Sequence, residues 1–440
     1  MTPESHLLAG VARRIITPPR GIFLIGYGDR WQGNTGVHDD LTATALVLGE
    51  GATRLAIVAL DMLAINEFIV DRVRARLAPT EVLLCCSHTH SGPIAYADER
   101  SPRANRDFID MLVDRISEAV EVARASLVPA RLEYSRGEAN VGINRRERMS
   151  DGRMEIGRNL AGARDSSLQV LSVFATGGNP ETRLATVVTY ACHGTVLGPD
   201  NLFVSADWIG VMRRSVEEQL GGRALFLQGA AANINPDMHW GDALAFEMAA
   251  EQGQRVAGAV LTATSSGSAE LCASPIRVER LEVWLPTETP ATTPQPPKNY
   301  GKELLTLAKL PGFMAAFADP LLNQRYPWKP VIEPRDGMWS VPMRINAVRI
   351  GELALLTFGA ETFTEIGMKV KAASPAAFTL FASLTDGCIS YLHTEDSHAE
   401  GGYEVDVAPL AYRYPGRLQA KCEAIALAAA EQMLARLWRA

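Results

Sequence analysis

Two histidines one residue apart, His88 and His90, follow an apolar, strand-like run in EVLLCCSHTHSGP, residues 81–93. Alternate residues of an extended chain project to one face, so a backbone extended through both sets the imidazoles side by side at a strand's exit. Imidazole is a common zinc ligand and also holds or moves a proton near neutral pH, so the pair suits a metal site or an acid/base pair. A buried strand that merely ends in two polar residues is the bland alternative, and the spacing leaves all three open. A second apolar run, residues 184–191, ends alike at Cys192-His193-Gly194, so two strands are expected to end in exposed histidines. Two glycine- or alanine-rich loops could bring further groups close to a ligand: Ile25-Gly26-Tyr27-Gly28, and residues 229–236 with Asn233 and Asn235.

The elements that must position these residues alternate in type. A strand over 8–17 is ended by Pro18-Pro19, and strands over 42–49 and 54–60 form a hairpin around Gly49-Glu50-Gly51. Ile69, Val73 and Leu77 have helical spacing, predicting a helix over 67–77 before the strand at 81. Residues 104–125 form a second amphipathic helix, with charges on one side and Phe108, Leu112, Ile116 and Val120 on the other. Beyond it the spacing predicts strands over 167–174, 184–191, 224–228, 341–350, 353–357 and 378–384, and helices over 208–220, 243–264 and 417–437. The fold class is α/β, with mixed β-sheets flanked by helices and the site at strand ends and loops. One domain over residues 1–440 is expected, with a Thr/Pro-rich insertion or lid near 287–335.

Composition narrows the function classes. A net charge of -7 argues against a general nucleic-acid binder, and 47% hydrophobic with 21% charged residues is ordinary for a globular protein. The six cysteines include no CxxC pair, so they read as small buried hydrophobes in a reducing compartment. No run is long and apolar enough to span a bilayer, and the first residues lack an export signal's pattern. The expected location is the cytoplasm.

Several stretches occur together in one order: Ile16-Thr17-Pro18-Pro19, Gly36-Val37-His38-Asp39, Ser87-His88-Thr89-His90-Ser91-Gly92-Pro93 and Cys192-His193-Gly194-Thr195. Ser205-Ala206-Asp207-Trp208, Gly359-Ala360-Glu361, Tyr391-Leu392-His393-Thr394 and Gly402-Tyr403-Glu404 complete the series. In these the chain resembles the neutral (non-lysosomal) ceramidases, specifically their catalytic N-terminal domain. The resemblance implies a single catalytic Zn2+ held by His88, His193, Glu361 and Tyr391. It also implies Arg145 and Tyr403 as donors to a developing oxyanion, and His90 as proton carrier to the leaving nitrogen. His38, His239, His393 and His398 would lie around the site or on the surface.

Departures from the family pattern bear on the substrate. Where the secreted ceramidases carry Gly-Asp-x-Ser-Pro, this chain has Ala232-Asn233-Ile234-Asn235-Pro236, which changes an acid and a hydroxyl in a loop at the site. A C-terminal immunoglobulin-like domain is not expected. The resulting expectation is a zinc-dependent hydrolase of a linear N-acyl amide, small or lipid-like, with Asn233, Asn235, Gly26 and Tyr27 lining the substrate and bilayer ceramide a poor one. An ester or lactone hydrolase on the same site is the nearest alternative, and a non-catalytic metal-binding or sensing homologue a more distant one.

Overall fold

The computed structural model describes residues 7–27, 30, 32–93, 95, 103–178, 181–237, 244–293 and 331–439. Its largest element is a sheet in which, among the described residues, eight strands follow one path. From one edge these are Arg223–Gln228, Thr182–Tyr190, Ser167–Ala175, Val128–Glu138, Leu8–Ile15, Thr42–Glu50, Thr53–Leu60 and Glu81–Cys86. The edge pairs at both ends are parallel and the pairs between them antiparallel. Thr53–Leu60 and Glu81–Cys86 are buried almost throughout, as the near-continuous apolar runs of parallel strands covered on both faces require.

The path has a weak joint. Leu8–Ile15 meets Val128–Glu138 only through Leu8 opposite Pro129 and Ala9 opposite Val128, so two half-sheets turn a corner there. The turn brings the outer strands Arg223–Gln228 and Glu81–Cys86 toward each other, and residues 383–386 stitch the gap between them. Ser383 N donates to Gln228 O at 2.7 Å, while Cys86 N donates to Leu384 O at 3.1 Å and Asp386 N to Leu84 O at 3.0 Å. Those residues come from the end of a second sheet, ordered Ile276–Pro290, Met338–Ile350, Leu353–Phe358 and Phe378–Ala382. One inner core is shared by both sheets: Leu83, Leu225 and Leu227 from the first pack with Leu355, Leu380 and Ala382 from the second.

Helices cover the outer faces. Glu67–Leu77 buries Ile69, Val70, Val73 and Leu77 and lies with Arg103–Ala125 on one half-sheet. Asp207–Leu220 and Ala245–Ser265 cover the other half, and Thr364–Ala373 with Cys422–Arg439 cover the second sheet. Mixed sheets flanked by helices are thus the observed class. The Thr364–Ala373 helix was not legible, because Gly367 interrupts its face; a Cβ there would meet Ala230 Cβ at 2.4 Å, so the glycine permits close packing. Residues 287–290, at the start of the expected insertion, form the end of the strand Ile276–Pro290, whose pairing slips between Pro286 and Pro290. Prolines are tolerated there because this strand lies at a sheet edge. Glu333–Arg335 pairs with Met338–Ile350, and the centre of the expected insertion, 294–330, lies outside the described residues. Among the described residues no helix is long and apolar enough to cross a membrane.

Candidate metal centre

Neither histidine pair member sits on an extended strand. Glu81–Cys86 ends two residues before His88, whose φ of 64° is left-handed, so the alternation argument fails at its first step. The rings meet nonetheless. His88 N donates to Met62 O at 2.9 Å and His90 N to Gly194 O at 2.9 Å, which folds the turn back so that the two Nε2 atoms lie 3.3 Å apart. Thr89 and Gly194 form a parallel bridge, laying the His88 segment alongside that of His193. His88 and His193 are 1% and 0% exposed, not the exposed strand ends that the sequence suggested, because the stitched gap closes over them.

Each imidazole is oriented from behind. His88 Nδ1 donates to Leu63 O at 2.9 Å and His193 Nδ1 to Ala231 O at 2.7 Å, which fixes both tautomers and leaves the Nε2 lone pairs facing inward. The carbonyl of His193 is held in turn by Trp208 Nε1 at 2.8 Å. Burial, and then the Arg145 guanidinium, lower the His193 pKa to about 4, so the ring is uncharged at neutral pH. Burial together with the neighbouring imidazoles pushes His90 down as well.

Glu361 and Tyr391 arrive as a pair. They are register partners in a short parallel ladder, Glu361–Thr362 with Tyr391–Leu392. Glu361 Oε2 lies 3.3 Å from His88 Nε2 and 3.4 Å from His193 Nε2. That oxygen is buried and accepts no hydrogen bond among the described residues. An anionic oxygen facing two lone pairs is repulsive unless a cation lies between them. Ligand atoms about 2.0–2.1 Å from a tetrahedral ion are about 3.3–3.4 Å apart, so the spacing fits zinc. His88, His90 and His193 also form a buried cluster whose nitrogens all lie within 4.8 Å of one another.

The remaining named residues form a rim around this cluster. Arg145, 4% exposed, places Nη2 3.1 Å from Tyr391 Oη and Nη1 3.2 Å from both Asn235 Oδ1 and His193 Nε2. Arg146, its neighbour, binds Glu404, Glu400 and the Gly401 carbonyl. The Tyr403 ring lies 5.8 Å from that of Tyr391. Tyr27 packs edge-on to His90 at 5.0 Å and donates to Thr195 O at 3.2 Å. Gly26 has a φ of +115°, and a Cβ there would lie 2.4 Å from His90 Nδ1, so this glycine makes room for the ring. Asn233 is fully buried, its amide spent on Thr364 N and Glu365 Oε2, which places it in the joint beneath the centre.

Other residues found near the centre had no assigned part in the sequence. Asp207 accepts from Leu197 N at 3.1 Å and Trp208 N at 2.7 Å, bracing the loop after His193. Its place in Ser205-Ala206-Asp207-Trp208 was the available signal. Glu404 binds both Arg145 and Arg146. Of the outlying histidines, His38 stacks on Phe246 at 4.1 Å, His393 is buried and His398 pairs with Glu288, while His239 lies outside the described residues.

Comparison with known proteins matches this arrangement to one family. A family model described as neutral/alkaline non-lysosomal ceramidase, N-terminal, matches residues 7–269. The neutral ceramidase of Pseudomonas aeruginosa is 24% identical over 462 residues, covering 87% of this chain and 66% of that protein. The neutral ceramidase of Mycobacterium tuberculosis is 27% identical over 237 residues, covering 48% of this chain and 37% of its own length. The chain therefore spans just under two thirds of the first relative and about a third of the second. A crystal structure of the Pseudomonas neutral ceramidase superposes with a TM-score of 0.73 at 21% identity, covering 98% of this chain and 74% of that one. A ceramidase complexed with C2 superposes at 0.75 and 21% identity, covering 98% and 75%. With the family model spanning more than half of its length, the chain belongs to the neutral/alkaline non-lysosomal ceramidase family.

Proposed function

We propose that the chain is a zinc-dependent hydrolase of linear N-acyl (amide) bonds, whose substrate is small or lipid-like rather than ceramide embedded in a bilayer. The observation that carries this reading is the buried convergence of His88 Nε2, His193 Nε2 and Glu361 Oε2 at 3.3–3.4 Å, with both tautomers set from behind. His88, His193, Glu361 and Tyr391 are the residues assigned to hold the ion. Burial pushes the Tyr391 phenol well above its usual range, so only a nearby cation makes it a phenolate at neutral pH. A bound zinc ion would polarise the scissile carbonyl and lower the pKa of a water to about 7, supplying a nucleophile.

The chain's own residues do the rest. Arg145, oriented by Asn235, and Tyr403 donate to the carbonyl oxygen as negative charge develops on it, where fixed donors in a dry site are most effective. His90, uncharged at rest, would take the proton released as the water attacks and pass it to the departing amine, and Tyr27 and Gly26 pack against its ring. The relatives are named for ceramide, itself an N-acyl compound. Asn235, standing where the secreted ceramidases carry a hydroxyl, binds Arg145 at the centre, and that change favours a substrate other than bilayer ceramide.

Elemental analysis of freshly purified protein should find about one zinc per chain, lost in His88→Ala and His193→Ala. Amine release from soluble N-acyl compounds should exceed that from long-chain ceramide in vesicles. Protein without a transition metal, and with no activity gained on adding zinc, refutes the metal reading. Faster turnover of bilayer ceramide refutes the substrate reading.

A further inference from the structure

Arg145 and Arg146 are consecutive, and consecutive residues of a regular strand face opposite sides of it. Both nevertheless grip one carboxylate. Arg145 Nε donates to Glu404 Oε1 at 2.8 Å, and Arg146 Nη1 donates to Glu404 Oε2 at 2.9 Å. The ladder is irregular at the same point. Strand Gly142–Arg148 pairs Asn144 with Asn159 but Arg146 with Ile156, so Arg145 stands opposite both Gly157 and Arg158 and the extra residue lies in the partner strand Met154–Asn159.

Glu404 comes from a second irregularity. It lies in the π-helical turn Tyr403–Val407, entered through Gly401 and Gly402 at φ +70° and +97°. Such turns are rare and gather at functional sites. Two departures from regular geometry thus meet at a single ion triad, in which Glu404, Arg145 and Arg146 are 2%, 4% and 5% exposed. Each buried ion costs several kcal/mol unless it is paired, so the triad is costly to assemble and costly to break.

Its geometry defines its task. Each Glu404 oxygen accepts from a guanidinium, so the carboxylate is engaged as an anchor and is poorly placed to take a proton in catalysis. The remaining Arg145 donors turn into the centre, toward Tyr391 and Asn235. Those of Arg146 turn outward, with Nη2 2.9 Å from Gly401 O and 3.2 Å from Glu400 Oε2, at the entry to the turn that carries Tyr403. We infer that Glu404 is a positioning residue: it fixes the Arg145 guanidinium against the metal centre and, through Arg146, fixes the turn that presents Tyr403. The inference rests on Arg145 acting at the developing oxyanion.

The test is a double-mutant cycle on a soluble N-acyl amide, with metal content measured for every variant. Glu404→Gln keeps the shape, loses the charge and turns an amide N–H toward a guanidinium. With metal stoichiometry at the wild-type value and KM within about 3-fold, its kcat should fall by roughly 10- to 100-fold, the scale of a misplaced catalytic group. Glu404→Asp restores the charge on a shorter stem and should recover part of that loss. In an Arg145→Met background the Glu404→Gln change should cost clearly less in kcat than it does in wild type, because only the hold on the Tyr403 turn is left to lose. A folded Glu404→Gln protein with kcat within about 2-fold of wild type, beside an impaired Arg145→Met, overturns the role of Glu404 alone. The same holds if its loss persists in full in the Arg145→Met background. An unimpaired Arg145→Met overturns the oxyanion reading and this inference with it. If Glu404→Gln does not fold, Glu404→Asp decides, and wild-type kcat in that variant overturns the inference.

Discussion

At the scale of single residues the centre separates groups that are held from groups that are merely near. His88 and His193 each have Nδ1 tied to a backbone carbonyl, whereas His90 Nδ1 is buried and accepts or donates nothing among the described residues. A ligand needs its ring fixed, and a proton carrier needs a ring nitrogen left free, so the contrast supports the proposed division of tasks. His88→Ala should lose both metal and turnover. His90→Ala should keep the metal and lose about 10²- to 10⁴-fold in amide hydrolysis, the usual contribution of acid/base help. An amine leaving group needs that proton and a nitrophenolate does not, so the loss should be small on a nitrophenyl ester of the same acyl group. Equal losses on both substrates would make His90 a positioning group. Zinc loss in His90→Ala would make it a ligand, as its Nε2 at 3.3 Å from His88 Nε2 allows.

At the scale of elements, the loop after His193 is fastened to the start of the Asp207–Leu220 helix by a buried carboxylate. Asp207 has a φ of 55° and accepts from Leu197 N and Trp208 N, while Trp208 Nε1 reaches the His193 carbonyl. Burial raises the Asp207 pKa to about 6 from its ordinary 3.8, with the backbone donors working against the rise. A carboxyl whose folded pKa is raised binds its proton more tightly in the native state than in the unfolded one. Stability therefore falls as pH rises from about 4 to about 6, and above that this group causes no further change. Urea unfolding of wild type and Asp207→Asn across that window should show the fall in wild type and its absence in the variant. Parallel pH profiles would mean that Asp207 is ionised throughout.

At the scale of the whole molecule, the centre exists because residues 383–386 bridge two sheets. Asp386, wholly buried, accepts from Leu84 N at 2.9 Å, Arg74 Nη2 at 2.6 Å and Asn346 Nδ2 at 2.9 Å, tying the Glu81–Cys86 strand to Met338–Ile350. Asp386→Ala leaves the Arg74 guanidinium without a carboxylate and the Leu84 N–H without its side-chain acceptor, and should cost about 3–5 kcal/mol in denaturant unfolding. It should also weaken metal retention, since Glu361 and Tyr391 stand on one side of the bridge and His88 on the other. A stable variant with full metal content would show the bridge to be dispensable. Much of the architecture was legible beforehand. The helix over 67–77 follows from an apolar period of 3.6, and the hairpin of Thr42–Glu50 with Thr53–Leu60 from two short buried runs around Gly49-Glu50-Gly51, which are local properties of the chain. The site residues were legible only as motifs in series, each ambiguous alone. The contacts among His88, His193 and Glu361 depend on a corner in one sheet and a stitch from another, set by pairings between residues more than a hundred positions apart. Local sequence therefore determined which elements form and which side chains could do chemistry. The left-handed turn at His88, the burial of both histidines and the meeting of Arg145 with Glu404 were decided by tertiary packing, because each depends on neighbours that no sequence period encodes.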